Sequence, residues 1–136
     1  MKASSGTLGE SVLTAMIQRL AQDDKIAAAY LLGSGAEGRL RADSDVDIAL
    51  LPVRGGSLSG RDRMNLAADL TDIAERTVDL GVLHTGNLVY AKEAVARGRV
   101  IFERDHAARV RFAALVLSMY ADLQENRREV LHAYAA

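Results

Sequence analysis

The chain of 136 residues has no cysteine and no tryptophan, a single proline, and only 4% aromatic residues. The lack of cysteine excludes disulfides, thiolate metal sites and thiol nucleophiles. Neither charge is in clear excess, with 17 basic against 18 acidic side chains, so no overall positive field attracts nucleic acid. No apolar run approaches the roughly 20 residues that span a bilayer. We therefore expect neither membrane association nor direct binding of nucleic acid.

Enough apolar sequence is present for one domain. Hydrophobic residues make up 49% of the chain, and a chain of this length buries roughly two thirds of the surface that it exposes when unfolded. The first thirty residues lack the basic end and apolar stretch of a secretory signal. We expect a single cytoplasmic domain over residues 1–136, with a flexible N-terminus at 1–7.

Hydrophobic periodicity predicts that helices and strands alternate along the chain. Thr7 and Glu10 have the spacing of a capping box, which predicts a first helix that ends at the polar residues Asp23 and Asp24. Strands are expected at 26–32, 45–51, 77–83 and 99–103, and further helices at about 61–75 and 88–97. The sequence VRGGSLSG at 53–60 is the clearest loop.

A last helix is expected from a cap at Asp105 to about residue 134. Its apolar residues cover more than one stripe, which is more surface than one face of a core can use. Two interpretations remain open. Either the helix wraps across the other helices of the domain, or part of it docks another protein.

Three aspartates lie in the apolar strands. Asp45 and Asp47 are two residues apart, so their carboxylates project from one side of the second strand. Asp79 lies inside the third strand. Ionised carboxylates among apolar residues are costly without a partner, so we expect positive charge beside them. If the two strands are neighbours, the three carboxylates converge and form the kind of site in which proteins hold Mg²⁺.

A phosphate site is predicted at the end of the first strand. Gly33 permits close approach of the backbone, and the Ser34 hydroxyl is a donor for a phosphoryl oxygen. Residues 35–42 suit one or two helical turns, whose free N–H groups seat an anion. Arg39 and Arg41 are the nearest cations and suit a polyphosphate.

Each of these features alone has an ordinary explanation. The sequence DSD at 43–45 is common in turns, Gly-Ser often follows a strand, and Asp79 fits an exposed sheet edge. Their joint occurrence favours metal-assisted phosphoryl or nucleotidyl transfer.

At these residues the chain resembles the DNA polymerase beta-type nucleotidyltransferase superfamily. The signature of that superfamily is Gly-Ser, ten residues, Asp-x-Asp and a later acid. Gly33 and Ser34, the ten residues 35–44, Asp45 with Asp47, and then Asp79 match it without a gap. The small size and the segment AVARGRVIFERD resemble the minimal nucleotidyltransferases (MNT domains), the MntA-like antitoxins of HEPN/MNT pairs. This resemblance implies an α/β (α+β) fold, with a mixed sheet of about four strands, helices packed on it and a long C-terminal helix.

The resemblance also implies a role for each matched residue. Asp45 and Asp47 would hold Mg²⁺, and Asp79 would complete the metal site and help to take the proton of the acceptor hydroxyl. Gly33 and Ser34 would hold the triphosphate of ATP. The implied reaction is transfer of AMP to a tyrosine of a cognate HEPN ribonuclease toxin, which neutralises that toxin.

The chain departs from this pattern beside the phosphate site. Many relatives carry arginine at the positions of Gly35 or Glu37, so Arg39 or Arg41 would have to replace it here. Two alternatives stay open: a catalytically silent antitoxin that acts by steric binding, and a nucleotidyltransferase for a small molecule.

Three residues outside the signature are further candidates. Arg61 and Arg63 begin the helix after the loop and are candidates to contact nucleotide phosphates. His84 follows the third strand and is a weaker catalytic candidate, because a loop histidine is more often exposed to solvent.

Overall fold

The computed structural model describes residues 8–33 and 45–135. The elements are α1 (Glu10–Ala21), β1 (Ile26–Leu31), β2 (Val46–Pro52), α2 (Gly60–Ala74), β3 (Val78–Val82), α3 (Leu88–Arg97), β4 (Arg99–Glu103) and α4 (His106–Ala135). Within this part of the chain, no helix combines the length and the hydropathy needed to span a membrane. The helical turns expected at 35–42 lie outside the described residues.

The helix caps differ in part from the expectation. Helix α1 begins at Glu10 with Gly9 as its N-cap, so Glu10 is the first helical residue and the predicted capping box is wrong. Thr7 lies outside the described residues. A capping box occurs instead at α2, where the Ser59 hydroxyl accepts from the Asp62 N–H. The predicted cap of α4 is confirmed, because Asp105 Oδ1 accepts from the Ala108 N–H at 3.0 Å.

The four strands form one mixed sheet in the order β3-β2-β1-β4. Strand β1 is antiparallel to both β2 and β4, whereas β2 and β3 are parallel. The parallel pair is joined through α2, as a crossover connection requires. The expected mixed sheet of four strands is confirmed.

Helices cover both faces of the sheet. On one face, α1 and α2 pack over the side chains that alternate with the aspartates, and Val46, Ile48 and Leu50 are fully buried there. On the other face, α3 and α4 pack over Tyr30 and Ala49. Because both of its faces are covered, β1 is a continuous buried run rather than an alternating one. Its three alanines let the helices approach closely.

The two halves of α4 differ in their surroundings. Val116 is fully buried against β1 and α3, and Phe112 packs beside it. Beyond Gln124 every described residue of the helix is exposed, including Leu131 and Tyr134. The helix therefore wraps over the domain in its first half only.

Candidate active site

Asp47 and Asp79 lie side by side on the two parallel strands. They are register partners in the β2–β3 ladder, each at the second position of its strand. Both point to the sheet face that α3 covers, since the neighbouring residues Val46 and Val78 belong to the core on the other face. The two strands that carry the aspartates are therefore neighbours in the sheet, as the predicted convergence of the carboxylates requires.

Asp45 is close enough to act on Asp47 electrostatically, but the three carboxylates do not form a ready ligand cluster. In residues 8–33 and 45–135, no three acidic or histidine side chains are placed to hold a metal ion together. Asp45 lies one residue before β2 and is exposed. The expected convergence on one point is thus seen for Asp47 and Asp79 only. Two carboxylates still suit Mg²⁺, which proteins bind with one or two carboxylates together with water and substrate phosphates.

The carboxyl of Asp47 has a raised pKa. Partial burial is the main cause, and the negative charges of Asp79 and then Asp45 add to it. No arginine or lysine of the described residues forms an ion pair with any of these three aspartates. Within the described part of the chain, the three aspartates therefore concentrate negative charge that a divalent cation would neutralise.

The three carboxylates lie at the surface of the sheet rather than in its core. Asp45, Asp47 and Asp79 are all exposed, and no charged side chain of the described residues is fully buried. Each of Asp47 and Asp79 is the second residue of its strand, where the sheet borders an open cavity, whereas Tyr90 of α3 lies over Gly81 further along β3. The desolvation cost is therefore smaller than their place in apolar strands suggested.

A cavity of about 600 Å³ opens directly beside Asp47 and Asp79. This volume lies within the range of small-molecule and cofactor sites. Its described lining also includes polar groups from three other segments: Arg63 of α2, His84 and Asn87 after β3, and Tyr90 of α3. The cavity thus combines carboxylates, a cation and hydrogen-bond donors.

Tyr90 lies over β3 at Gly81. A Cβ placed on Gly81 would be only 2.1 Å from Tyr90 Oη and 2.7 Å from Cζ, so this arrangement needs a glycine. Tyr90 is half-buried, and burial, together with the charge of Asp47, raises the pKa of its hydroxyl. Tyr90 therefore stays protonated and presents a donor to the cavity. The sequence suggested only a packing role for Tyr90, not a place in the site.

Gly33 approaches Asp47 from the side of β1. It has a positive φ of 60°, and a Cβ built on it would be 3.8 Å from Asp47 Oδ2. The requirement for glycine here is thus conformational rather than steric. Ser34, Arg39 and Arg41 lie outside the described residues, as do Gly35 and Glu37.

Two of the three weaker candidates line the cavity. Arg63 and His84 border it, whereas Arg61 is exposed and does not contribute to it. The signal for Arg63 was its place in the first turn of α2, close behind the loop that follows β2. Asn87 and Tyr90 gave no such signal, because only the packing of α3 on the sheet brings them here.

Comparison with known proteins assigns the family. The model of the family "Polymerase beta, Nucleotidyltransferase" matches residues 15–107, a range that includes Gly33, Asp45, Asp47 and Asp79. The chain belongs to this nucleotidyltransferase family. The protein adenylyltransferase MntA of Shewanella oneidensis is 30% identical over 107 residues, which cover 79% of this chain and 75% of that protein.

Solved structures of toxin–antitoxin complexes share the fold of this nucleotidyltransferase. One, a toxin–antitoxin structure with AMP-PNP, matches with a TM-score of 0.73 and 27% identity, over 95% of this chain and 100% of the other. Another contains the tri-AMPylated HEPN toxin of Shewanella oneidensis and the MNT antitoxin. It matches with a TM-score of 0.71 and 26% identity, over 93% and 98% of the two chains.

Proposed function

We propose that this nucleotidyltransferase is a cytoplasmic antitoxin that transfers AMP from ATP to a tyrosine of a cognate HEPN toxin and thereby neutralises it. The observation that carries the proposal is the pairing of Asp47 with Asp79 at the mouth of a nucleotide-sized cavity. The similarity to MntA and to a complex that contains an AMPylated HEPN toxin supports the choice of acceptor.

The proposed reaction is an in-line displacement at the α-phosphorus of ATP. The oxygen of the acceptor hydroxyl forms a bond to that phosphorus, while the bond from the phosphorus to the oxygen bridging to the β-phosphate breaks. AMP joins the acceptor and pyrophosphate leaves. The carboxylate of Asp79 accepts the hydroxyl proton, and the amide and hydroxyl groups of Asn87 and Tyr90 orient the nucleotide in the cavity.

Asp45 and Asp47 would hold Mg²⁺, with Asp79 completing the site. When bound, Mg²⁺ neutralises phosphate oxygens and stabilises the charge that develops in the transition state. Gly33 and Ser34 would hold the triphosphate, together with Arg39 or Arg41 from the segment outside the described residues. Arg63, which borders the cavity from α2, supplies a further cation for the phosphates.

The experiment is the intact mass of the cognate HEPN protein, measured after incubation with the chain, ATP and Mg²⁺. We expect a gain of one or more AMP groups, and none when Mg²⁺ is removed by EDTA. Asp47→Asn and Asp79→Asn should each slow the transfer by about 100-fold or more, since they remove charge stabilisation worth several kcal/mol.

The matched control is Asp72→Asn. Asp72 is an exposed aspartate of α2 that does not line the cavity, so the rate should stay at the wild-type level. A HEPN protein that binds the chain but never gains AMP would overturn the proposal and leave a purely steric antitoxin.

A further inference from the structure

A second cavity adjoins the one that holds the carboxylates. It measures about 580 Å³ and shares Arg63, Val82 and His84 with the first. Its own described lining is mainly apolar and includes Val53, Leu58 and Phe112. The two cavities therefore adjoin each other, and Arg63, Val82 and His84 border both.

A third cavity adjoins the second, towards α4. It measures about 380 Å³ and shares Leu51, Pro52 and Phe112 with the second. Its outer wall is formed by Leu115, which is 51% exposed. We call the second and third cavities together the acceptor groove, lined by Val53, Leu58, Phe112 and Leu115 and by the arginines below.

The acceptor groove is positively charged and apolar. Arg54 and Arg111 line its far part, and Arg63 lies where it meets the carboxylates. None of these three arginines forms an ion pair within residues 8–33 and 45–135, and the described lining of the groove contains no acidic residue. A ligand that complements the groove carries apolar side chains and carboxylates.

The proposed reaction fixes which substrate enters from this side. The attacking and leaving oxygens lie roughly in line on opposite sides of the α-phosphorus. Gly33, the proposed seat of the leaving pyrophosphate, follows β1 and lies on one side of Asp47, whereas Asp79 and β3 lie on the other. The acceptor hydroxyl must therefore approach along β3, where the acceptor groove begins.

Building on the proposed function, we propose that the acceptor groove binds the segment of the HEPN toxin that carries the acceptor tyrosine. The tyrosine reaches past Arg63 and His84 to the carboxylates. Flanking apolar side chains occupy the cavities beside Phe112 and Leu115, and flanking acidic side chains pair with Arg54 and Arg111. This choice of occupant rests on two observations: the groove adjoins the catalytic cavity, and it is positively charged.

The first test reverses charge in the acceptor groove. The double variant Arg54→Glu/Arg111→Glu should lower kcat/KM for AMP transfer to the HEPN protein about tenfold, because charge steering and pairing are both lost. The matched control is Arg97→Glu/Arg99→Glu, which changes the net charge equally at exposed arginines outside the groove. Both double variants should bind AMP-PNP with the same affinity. This measurement separates weaker binding of the acceptor protein from weaker binding of the nucleotide.

A second test uses the absence of cysteine from the chain. Ser57 is exposed and lines the second cavity, so Ser57→Cys labelled with a bulky maleimide should block the acceptor groove. AMP transfer to the HEPN protein should fall about tenfold relative to the unlabelled variant. Labelled Ala96→Cys, on the exposed side of α3, is the control and should retain its rate.

The outcomes separate the two proposals. If the wild-type chain modifies the HEPN protein and both groove variants transfer AMP at the rates of their controls, the proposed role of the acceptor groove is overturned and the proposed function stands. If wild-type chain transfers no AMP at all, both proposals are overturned. If the charge-reversed variant unfolds at a lower temperature than its control, the labelled Ser57→Cys variant decides.

Discussion

At the scale of single residues, the ionised carboxylate of Asp47 serves the proposed function but lowers the stability of the metal-free protein. This carboxylate lies beside Asp79 and near Asp45, and partial burial, followed by these two charges, raises its pKa. A carboxylate whose pKa is raised by folding favours the folded state only when protonated. The ionised form that would hold a cation therefore opposes folding when the metal is absent.

We expect Asp47→Asn to stabilise the metal-free protein at neutral pH. The gain should be about 0.5 kcal/mol, because solvent screens an exposed charge pair. This gain in stability should appear as the pH rises from the ordinary aspartate pKa of 3.8 through the raised pKa, and it should vanish below pH 3.8. Urea unfolding in EDTA measures the free energy of unfolding of wild type and variant at pH 7.5 and at pH 3.5, with Asp72→Asn as the control. Equal stability of wild type and Asp47→Asn at pH 7.5 would contradict this account of the raised pKa.

The three aspartates were predictable from the sequence, whereas the other side chains that line the cavity beside them were mostly not. The spacing of Gly33, Asp45 and Asp47 is a local property, so the sequence shows it directly. Arg63, His84 and Tyr90 come from three different segments and meet only because helices pack on both faces of the sheet at its β3 edge. No single-sequence pattern reports such an encounter.

At the scale of secondary-structure elements, the contact between β3 and α3 shapes the cavity. Tyr90 lies in the first turn of α3, and its hydroxyl occupies the space above Gly81. The glycine thus allows the ring to lie beside Asp47. A side chain at position 81 would displace that ring.

Gly81→Ala should destabilise the protein by about 1–2 kcal/mol, the usual cost of overpacking. In a Tyr90→Ala background the same substitution should cost almost nothing, because the clashing ring is absent. Urea unfolding of the four proteins forms a double-mutant cycle. Gly60→Ala is the control, since a Cβ there meets no atom within 4 Å. An equal cost of Gly81→Ala in both backgrounds would show that the clash is not with Tyr90.

Most element boundaries follow from hydrophobic periodicity. They include β1, which was predicted as a strand because a short run buried on both faces fits a central strand, although its alanines also suit a helix. The exceptions are two helix caps. At α1 the spacing of Thr7 and Glu10 predicted a capping box, but this prediction is wrong because Gly9 is the residue that precedes the first helical residue. At α2 the capping box of Ser59 and Asp62 is present in the sequence, but it lies at the end of a stretch whose glycines indicate a loop.

At the scale of the whole molecule, α4 extends one apolar stripe beyond the body of the domain. Val116 and Val130 are fourteen residues apart and therefore lie on nearly the same side of the helix. The first is fully buried and the second is 54% exposed. The sequence does not distinguish a helix that wraps over the domain from one that docks a partner, since one pattern of apolar residues runs through both halves.

The same substitution in the two halves should have different effects. Val116→Ala should cost about 2 kcal/mol through lost burial and a cavity. Val130→Ala should change the free energy of unfolding of the isolated chain by less than about 0.5 kcal/mol. Chemical denaturation of the two variants checks this difference. Similar costs would mean that the second half of α4 packs on the domain in solution.

The central claim is that the carboxylates at the start of β2 and β3 bind a divalent cation together with a nucleotide. The most direct measurement is electron paramagnetic resonance of Mn²⁺ titrated into the chain with AMP-PNP. The account predicts that wild type and Asp72→Asn remove free Mn²⁺ from solution equally well, and that Asp47→Asn and Asp79→Asn bind it at least about tenfold more weakly. Unchanged Mn²⁺ binding in both Asp47→Asn and Asp79→Asn would contradict the account.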